Sequence, residues 1–177
     1  MPTTIRLMHY AAAWRQEFEQ SKSGILQSCQ GDVTDVQHVG STAIPGLIAR
    51  PIIDMIALVS KPVLLDAATM QIQGLFFRIV DPPFWCRDAI VLSKPRHGES
   101  THLVFLTTPE SRTHRRTLAI RDHFRAQPAI AVEFESAKVR RWKAGDGDSE
   151  QYDRDKAIFF AHLEEQLGED LHFQKQS

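Results

Sequence analysis

Apolar residues first recur at helical spacing. Between residues 11 and 29, Trp14, Phe18, Ile25 and Leu26 form one stripe among polar and charged positions, which predicts an amphipathic helix. Gly31 and Asp32 then interrupt the pattern. From Val33 to Val39 the period changes: Val33, Asp35 and Gln37 alternate with Thr34, Val36 and His38, as on the two faces of a strand. Residues 40–46 read as a loop closed by the Pro45-Gly46 turn. Pro51 to Val59 is apolar throughout except at Asp54, which predicts an interior strand covered on both faces. Pro51 falls at its first position, where a missing N–H is tolerated. Pro62 to Gln73 fits a helix stopped by Gly74, and Leu75–Val80, Asp88–Ser93 and His102–Thr107 predict three more strands.

Beyond residue 107 the pattern becomes helical. Thr108-Pro109-Glu110 predicts a helix start, with Thr108 as N-cap and Pro109 at the first helical position. Pro128 ends that helix and opens another that runs to about residue 144. Asp148, with Gln151 as its capping-box partner, starts a third, along which Tyr152, Phe159, Leu163 and Leu167 recur before Gly168. The predicted fold is α+β: a mixed sheet of about five strands flanked by helices, with a C-terminal helical segment. One domain is expected over residues 1–177, sheet-rich over 1–107 and helical over 108–168, with a frayed tail over 169–177.

Composition narrows the class. An apolar fraction of 42% in 177 residues suffices for a buried core without staples. Cys29 and Cys86 form no C-x-x-C pair, which argues against a zinc ribbon or a disulfide framework and suits a reducing compartment. The opening residues lack the apolar stretch of a secretory signal, and no apolar run approaches the ~20 residues of a membrane helix. The expected location is the cytoplasm, with no membrane partner. A net charge of −1 gives no overall footprint for nucleic acid.

Chemistry concentrates in residues 38–54. Gly40 lets the backbone turn and approach a ligand closely, and the hydroxyls of Ser41 and Thr42 can donate to phosphate oxygens. Asp54 breaks an apolar strand, where a carboxylate is costly unless it is paired, hydrogen-bonded or holding a metal. Mg²⁺ favours one or two carboxylates together with substrate phosphates, so a phosphate-facing turn beside Asp54 suits metal-assisted nucleotidyl transfer. An ordinary turn with Asp54 paired to Arg50 is the plainer alternative. No G-x-S-x-G elbow, Walker loop, G-x-G-x-x-G fingerprint or H-E-x-x-H is present.

A second concentration is basic. Residues 112–125 hold Arg112, Arg115, Arg116, Arg121 and Arg125 against Asp122, a local charge of +4, which leaves −5 for the rest. Arg121 and Arg125 share a helical face and suit a phosphate; a solvated face with Asp122 paired to Arg125 is the alternative. With no aromatic platform expected beside these arginines, nucleic acid is not an expected partner. Trp14, Trp85 and Trp142 read as packing residues. His38 and His102 are candidates for lining the same cleft as Arg50, with a satisfied structural histidine the alternative at each. Lys156, one helical turn after Tyr152, is a candidate phosphate contact, the alternative being a packed Tyr152 with Lys156 in water.

The string from His38 through Gly40-Ser41-Thr42-Ala43-Ile44-Pro45-Gly46 to Arg50-Pro51-Ile52-Ile53-Asp54 closely resembles the signature of the GrpB-like family, grouped with the nucleotidyltransferase superfamily. His9-Tyr10 to Phe18, Arg121 to Pro128, and the Tyr152/Lys156 pair resemble other segments of that family in the same order. The resemblance implies transfer of a nucleotidyl group from a nucleoside triphosphate to an acceptor, with Mg²⁺. Ser41 and Asp54 would be catalytic, with Asp54 the metal ligand. Gly40, Ser41, Thr42, Arg121, Arg125 and Lys156 would face phosphates. One departure matters. The superfamily usually carries two carboxylates at i and i+2, but Ile52 and Ile56 flank Asp54 here. A second acid would have to come from elsewhere, such as Asp35 or Asp88. The alternative is a non-catalytic nucleotide- or anion-binding module that has lost one carboxylate.

Overall fold

The computed structural model describes residues 6–144. Its elements are α1 (Ala13–Cys29), β1 (Val33–Val39), β2 (Ile53–Val59), α2 (Leu65–Gln73), β3 (Arg78–Val80), β4 (Ile90–Lys94), β5 (His102–Thr107), α3 (Arg112–Ala126) and α4 (Pro128–Ala144). The strands form one mixed sheet in the order β1-β2-β5-β4-β3. Only β2 and β5 run parallel; the other neighbours are antiparallel. The fold is therefore α+β, a five-stranded mixed sheet followed by helices. The third predicted C-terminal helix lies outside the described residues, as does Lys156.

The unbroken apolar run of β2 is explained by its place inside the sheet, since both faces are covered. Ile53, Met55, Ala57 and Val59 join Trp14, Phe18 and Ile25 of α1 and Ala68 and Ile72 of α2 in the main core. The opposite face carries Asp54, then Ile56 and Leu58, which pack with Val39, Cys86, Val91 and Phe105. A third cluster joins Ile44 and Leu47 of the loop after β1 to Phe124 of α3 and Ala131 and Phe134 of α4. Burying several such side chains contributes roughly 1.5–3 kcal/mol each, which holds the helical pair against the loop. Among the described residues no helix is long and apolar enough to cross a membrane.

Two predicted boundaries are corrected. The helix after β5 does not begin at Thr108-Pro109-Glu110. Glu110 has φ 64°, outside the helical region, and the helix starts at Arg112 with the Ser111 hydroxyl accepting from the His114 N–H. The Asp88 carboxylate accepts from the N–H groups of Arg112 and Thr113, so a tertiary contact moved the start. β3 keeps only three of its six predicted residues, because Phe76 adopts φ 69° and breaks extension.

Candidate functional site

Strand pairing builds the site. In the antiparallel ladder Asp54 lies opposite Val39, and in the parallel ladder it lies opposite Leu103. Gly40, the next residue after Val39, therefore arrives above the Asp54 carboxylate. Its backbone has φ 73° and ψ −173°, a region open in practice to glycine alone. A Cβ added there would collide with Asp54 Oδ2 and stand 3.1 Å from both Cβ and Cγ of Asp54. Sequence reasoning placed these two residues in one site; the register brings them into contact.

Ser41 to Ala43 then form a single tight 3₁₀ turn. Thr42 donates to the Ile52 carbonyl (3.0 Å), and its oxygen also meets His38 Nε2 at 2.9 Å. Because the hydroxyl proton is spent on Ile52, His38 must donate from Nε2. Its ring stacks on Phe18, with centroids 4.8 Å apart. Burial, reinforced by Arg125 and Arg121, pushes the His38 pKa down to about 4, which keeps the ring neutral. The Thr42 hydroxyl thus ties the turn to the start of β2.

The helical pair brings cations to the turn. Lys138 of α4 is 3% exposed, and its ammonium donates to Ser41 Oγ (3.0 Å) and the Ile48 carbonyl (2.8 Å). Arg121 donates to Gln37 Oε1 (2.9 Å) and the His38 carbonyl (3.2 Å), and its Nε meets Asp122 at 2.8 Å. Arg125 donates twice to the Ala43 carbonyl, at 2.9 and 3.1 Å. Arg121 is therefore largely covered, Arg125 stays exposed with its guanidinium tied to Ala43, and the pair formed is Asp122 with Arg121.

These groups open on one cleft of about 430 Å³. Gly40, Ser41, Thr42, Arg50, Asp54 and Arg121 all line it. Four cations, Arg50, Arg116, Arg121 and Lys138, face it against two acids, Asp54 and Asp81, so it is positive in a chain of net charge −1. Two expected lining residues do not face it. His38 pairs with Met55, and His102 with Ile53, on the opposite side of the sheet. The two-residue period puts their neighbours Val39 and Leu103 into the cleft instead. Arg125 also stands outside the lining, its guanidinium engaged on Ala43.

The proposed second acids are engaged elsewhere. Asp35 accepts from Gln37 Nε2 at 2.8 Å and lies 3.8 Å from Lys22. Asp88 caps α3. Although its partial burial opposes ionisation, hydrogen bonds from the Thr113 hydroxyl and from two backbone N–H groups hold its carboxyl below the usual range. Asp81 does line the cleft but follows β3. Three strand steps separate Val80 from Ile56 through Val91 and Phe105, which is roughly 14 Å and too far to share an ion with Asp54. Among the described residues no three His, Cys, Asp or Glu side chains gather into a metal-holding group.

Sequence reasoning missed Lys138 and the aromatic end of the cleft. Lys138 occupies a core-facing position one turn after Phe134, and a lysine on an apolar stripe was the available signal. Trp85 was read as packing, and no aromatic platform was expected beside the basic helix. In fact the Arg116 guanidinium lies 4.6 Å from the Trp85 ring centroid. The two residues are 31 positions apart, and only the sheet joins them.

Residues 4–166 match the family described as GrpB protein. The chain belongs to the GrpB family. A UPF0157 protein of Streptomyces coelicolor is 27% identical over 168 residues, 93% of this chain and 84% of that protein. The glutamate-rich protein GrpB of Alkalihalophilus pseudofirmus is 26% identical over 159 residues, 86% of this chain and 90% of that relative. In structure, the crystallised GrpB of Enterococcus faecalis superposes with a TM-score of 0.81 at 24% identity, covering 94% of this chain and 99% of that one. The architecture is thus that of the family.

Proposed function

We propose that this GrpB-family chain binds a nucleoside triphosphate with Mg²⁺ in the cleft and transfers its nucleotidyl group to an acceptor. The observation that carries this reading is the seating of the Gly40 backbone directly on the Asp54 carboxylate, inside a cationic cleft. Gly40 and Ser41 face the β- and γ-phosphates, with Lys138 holding the Ser41 hydroxyl. Arg121 and Arg50 add positive charge where the leaving group departs. Asp54 would hold the ion, and one carboxylate suits Mg²⁺, which takes its other ligands from phosphates and water. Bound there, Mg²⁺ would polarise the α-phosphate and neutralise the leaving group. The acceptor oxygen bonds to the α-phosphorus, the bond to the bridging oxygen breaks, pyrophosphate leaves and the acceptor proton passes to water. The buried free thiols of Cys29 and Cys86 suit a cytoplasmic setting.

Binding without chemistry is the second reading. It is favoured by Ile52 and Ile56 beside Asp54, and by the engagement of Asp35 and Asp88 elsewhere. Titration of the four nucleoside triphosphates with and without Mg²⁺, alongside pyrophosphate release, separates the two. Asp54→Ala is expected to abolish Mg²⁺-dependent turnover with the fold intact. Turnover that survives in this variant sinks the site assignment. Tight, metal-independent binding without pyrophosphate favours the module.

A further inference from the structure

The cleft has two chemically different ends. Near β1 and β2 it carries its polar groups, Ser41, Asp54 and Lys138, set among apolar residues such as Val39, Ile44 and Leu47. Toward β3 and β4 it is lined by Val80, Pro83, Phe84, Trp85, Val91 and Phe105. Strand spacing puts the two ends roughly 14 Å apart, about the reach of an extended nucleoside triphosphate.

The aromatic end is built rather than incidental. The Cys86 N–H donates to the Pro83 carbonyl at 2.9 Å, closing a turn that presents Phe84 and Trp85 at its tip. Cys86 is fully buried and anchors the turn in the sheet core. Trp85 is fixed by Phe105, whose ring centroid lies 5.4 Å away, and by Arg116. Phe84 stays 70% exposed on the cleft wall, an apolar ring held in water beside a cationic site. A flat ring meets its match in another flat ring, and base–aromatic stacking tolerates any base.

We propose that the Pro83–Cys86 turn is the nucleobase subsite, with the base stacking on Phe84 against a wall stiffened by Trp85 and Arg116. This rests on the reading that the phosphates face Gly40 and Ser41. Trp85 acts by positioning Phe84, and Phe84 makes the contact.

Calorimetry on the full chain tests it, with ATP, GTP, CTP, UTP and inorganic tripolyphosphate, each with Mg²⁺. At least one nucleotide is expected to bind about 5- to 150-fold tighter than tripolyphosphate, the range that one base–aromatic stack supplies. Phe84→Ala should cancel that excess, leave tripolyphosphate affinity unchanged and, because the ring is exposed, leave the melting temperature unchanged. Trp85→Leu should reduce the excess in part. Equal affinity for tripolyphosphate and nucleotides, or a Phe84→Ala loss shared by both, overturns the base subsite while the phosphate reading stands. If neither class binds, the phosphate reading falls and the base subsite falls with it.

Discussion

At Gly40 one backbone conformation and one contact coincide. A side chain there would be strained by its positive φ and would strike the Asp54 carboxylate. Gly40→Ala is expected to cost about 1–3 kcal/mol of stability and to lose nucleotide binding. Denaturant titration and calorimetry check the two effects, and an unchanged binding constant would separate the turn from the site. His38 offers a second residue-scale test. In the unfolded chain its imidazole titrates near the ordinary value of 6.5, whereas in the fold it takes a proton only at about 4. Below pH 6.5 the unfolded state therefore binds a proton that the native state refuses. This residue's contribution falls as pH drops from about 6.5 to about 4 and is level outside that window, a change on the order of 3 kcal/mol. His38→Gln keeps an N–H donor for Thr42 and lacks the titration. The stability difference between wild type and variant should shift across that window; parallel profiles would refute the neutral, buried imidazole.

Among the elements, α3 depends most on a distant residue. Ser111 caps it locally, yet Asp88, 24 positions before Arg112, accepts from the backbone N–H groups of Arg112 and Thr113. A carboxylate at a helix N-terminus also meets the positive end of the helix dipole. Asp88→Ala should destabilise the chain by about 1–2 kcal/mol and leave Mg²⁺-dependent nucleotide binding intact. Loss of metal dependence in that variant would instead make Asp88 the missing second acid. The same helix explains why Thr108-Pro109 misled: local capping chemistry was present, but a carboxylate from before β4 offered better partners one turn later. Other elements were legible because local pattern and tertiary role agree. β1 and β5 match the predicted residues, and β2 differs only at its first two.

Over the whole molecule, the cleft depends on three separate bodies of structure meeting: the strand ends, the turn after β3 and the helical pair. A ligand that bridges them should stabilise them together. A nucleotide with Mg²⁺ at 100 times its dissociation constant is expected to add about 2.7 kcal/mol to unfolding, visible as a raised melting temperature. Asp54→Ala should lose that increment, and no rise at saturating nucleotide in the wild type would count against the proposed ligand.

By itself the sequence determined the α+β class, the order of the elements, the turn at Gly40 and Ser41, and the isolated acid at Asp54. These follow from local period, turn chemistry and the rarity of a carboxylate in an apolar strand, all properties of neighbouring residues. Tertiary structure alone decided which side of each strand faces the cleft. A slip of one position exchanges faces, so His38 and His102 fell on the far side while Val39 and Leu103 line the site. It also decided that Lys138 reaches Ser41 across 97 positions, that Asp88 belongs to a helix end, and that Arg116 covers Trp85. Such contacts are fixed by strand order and helix packing, which no short window of residues encodes.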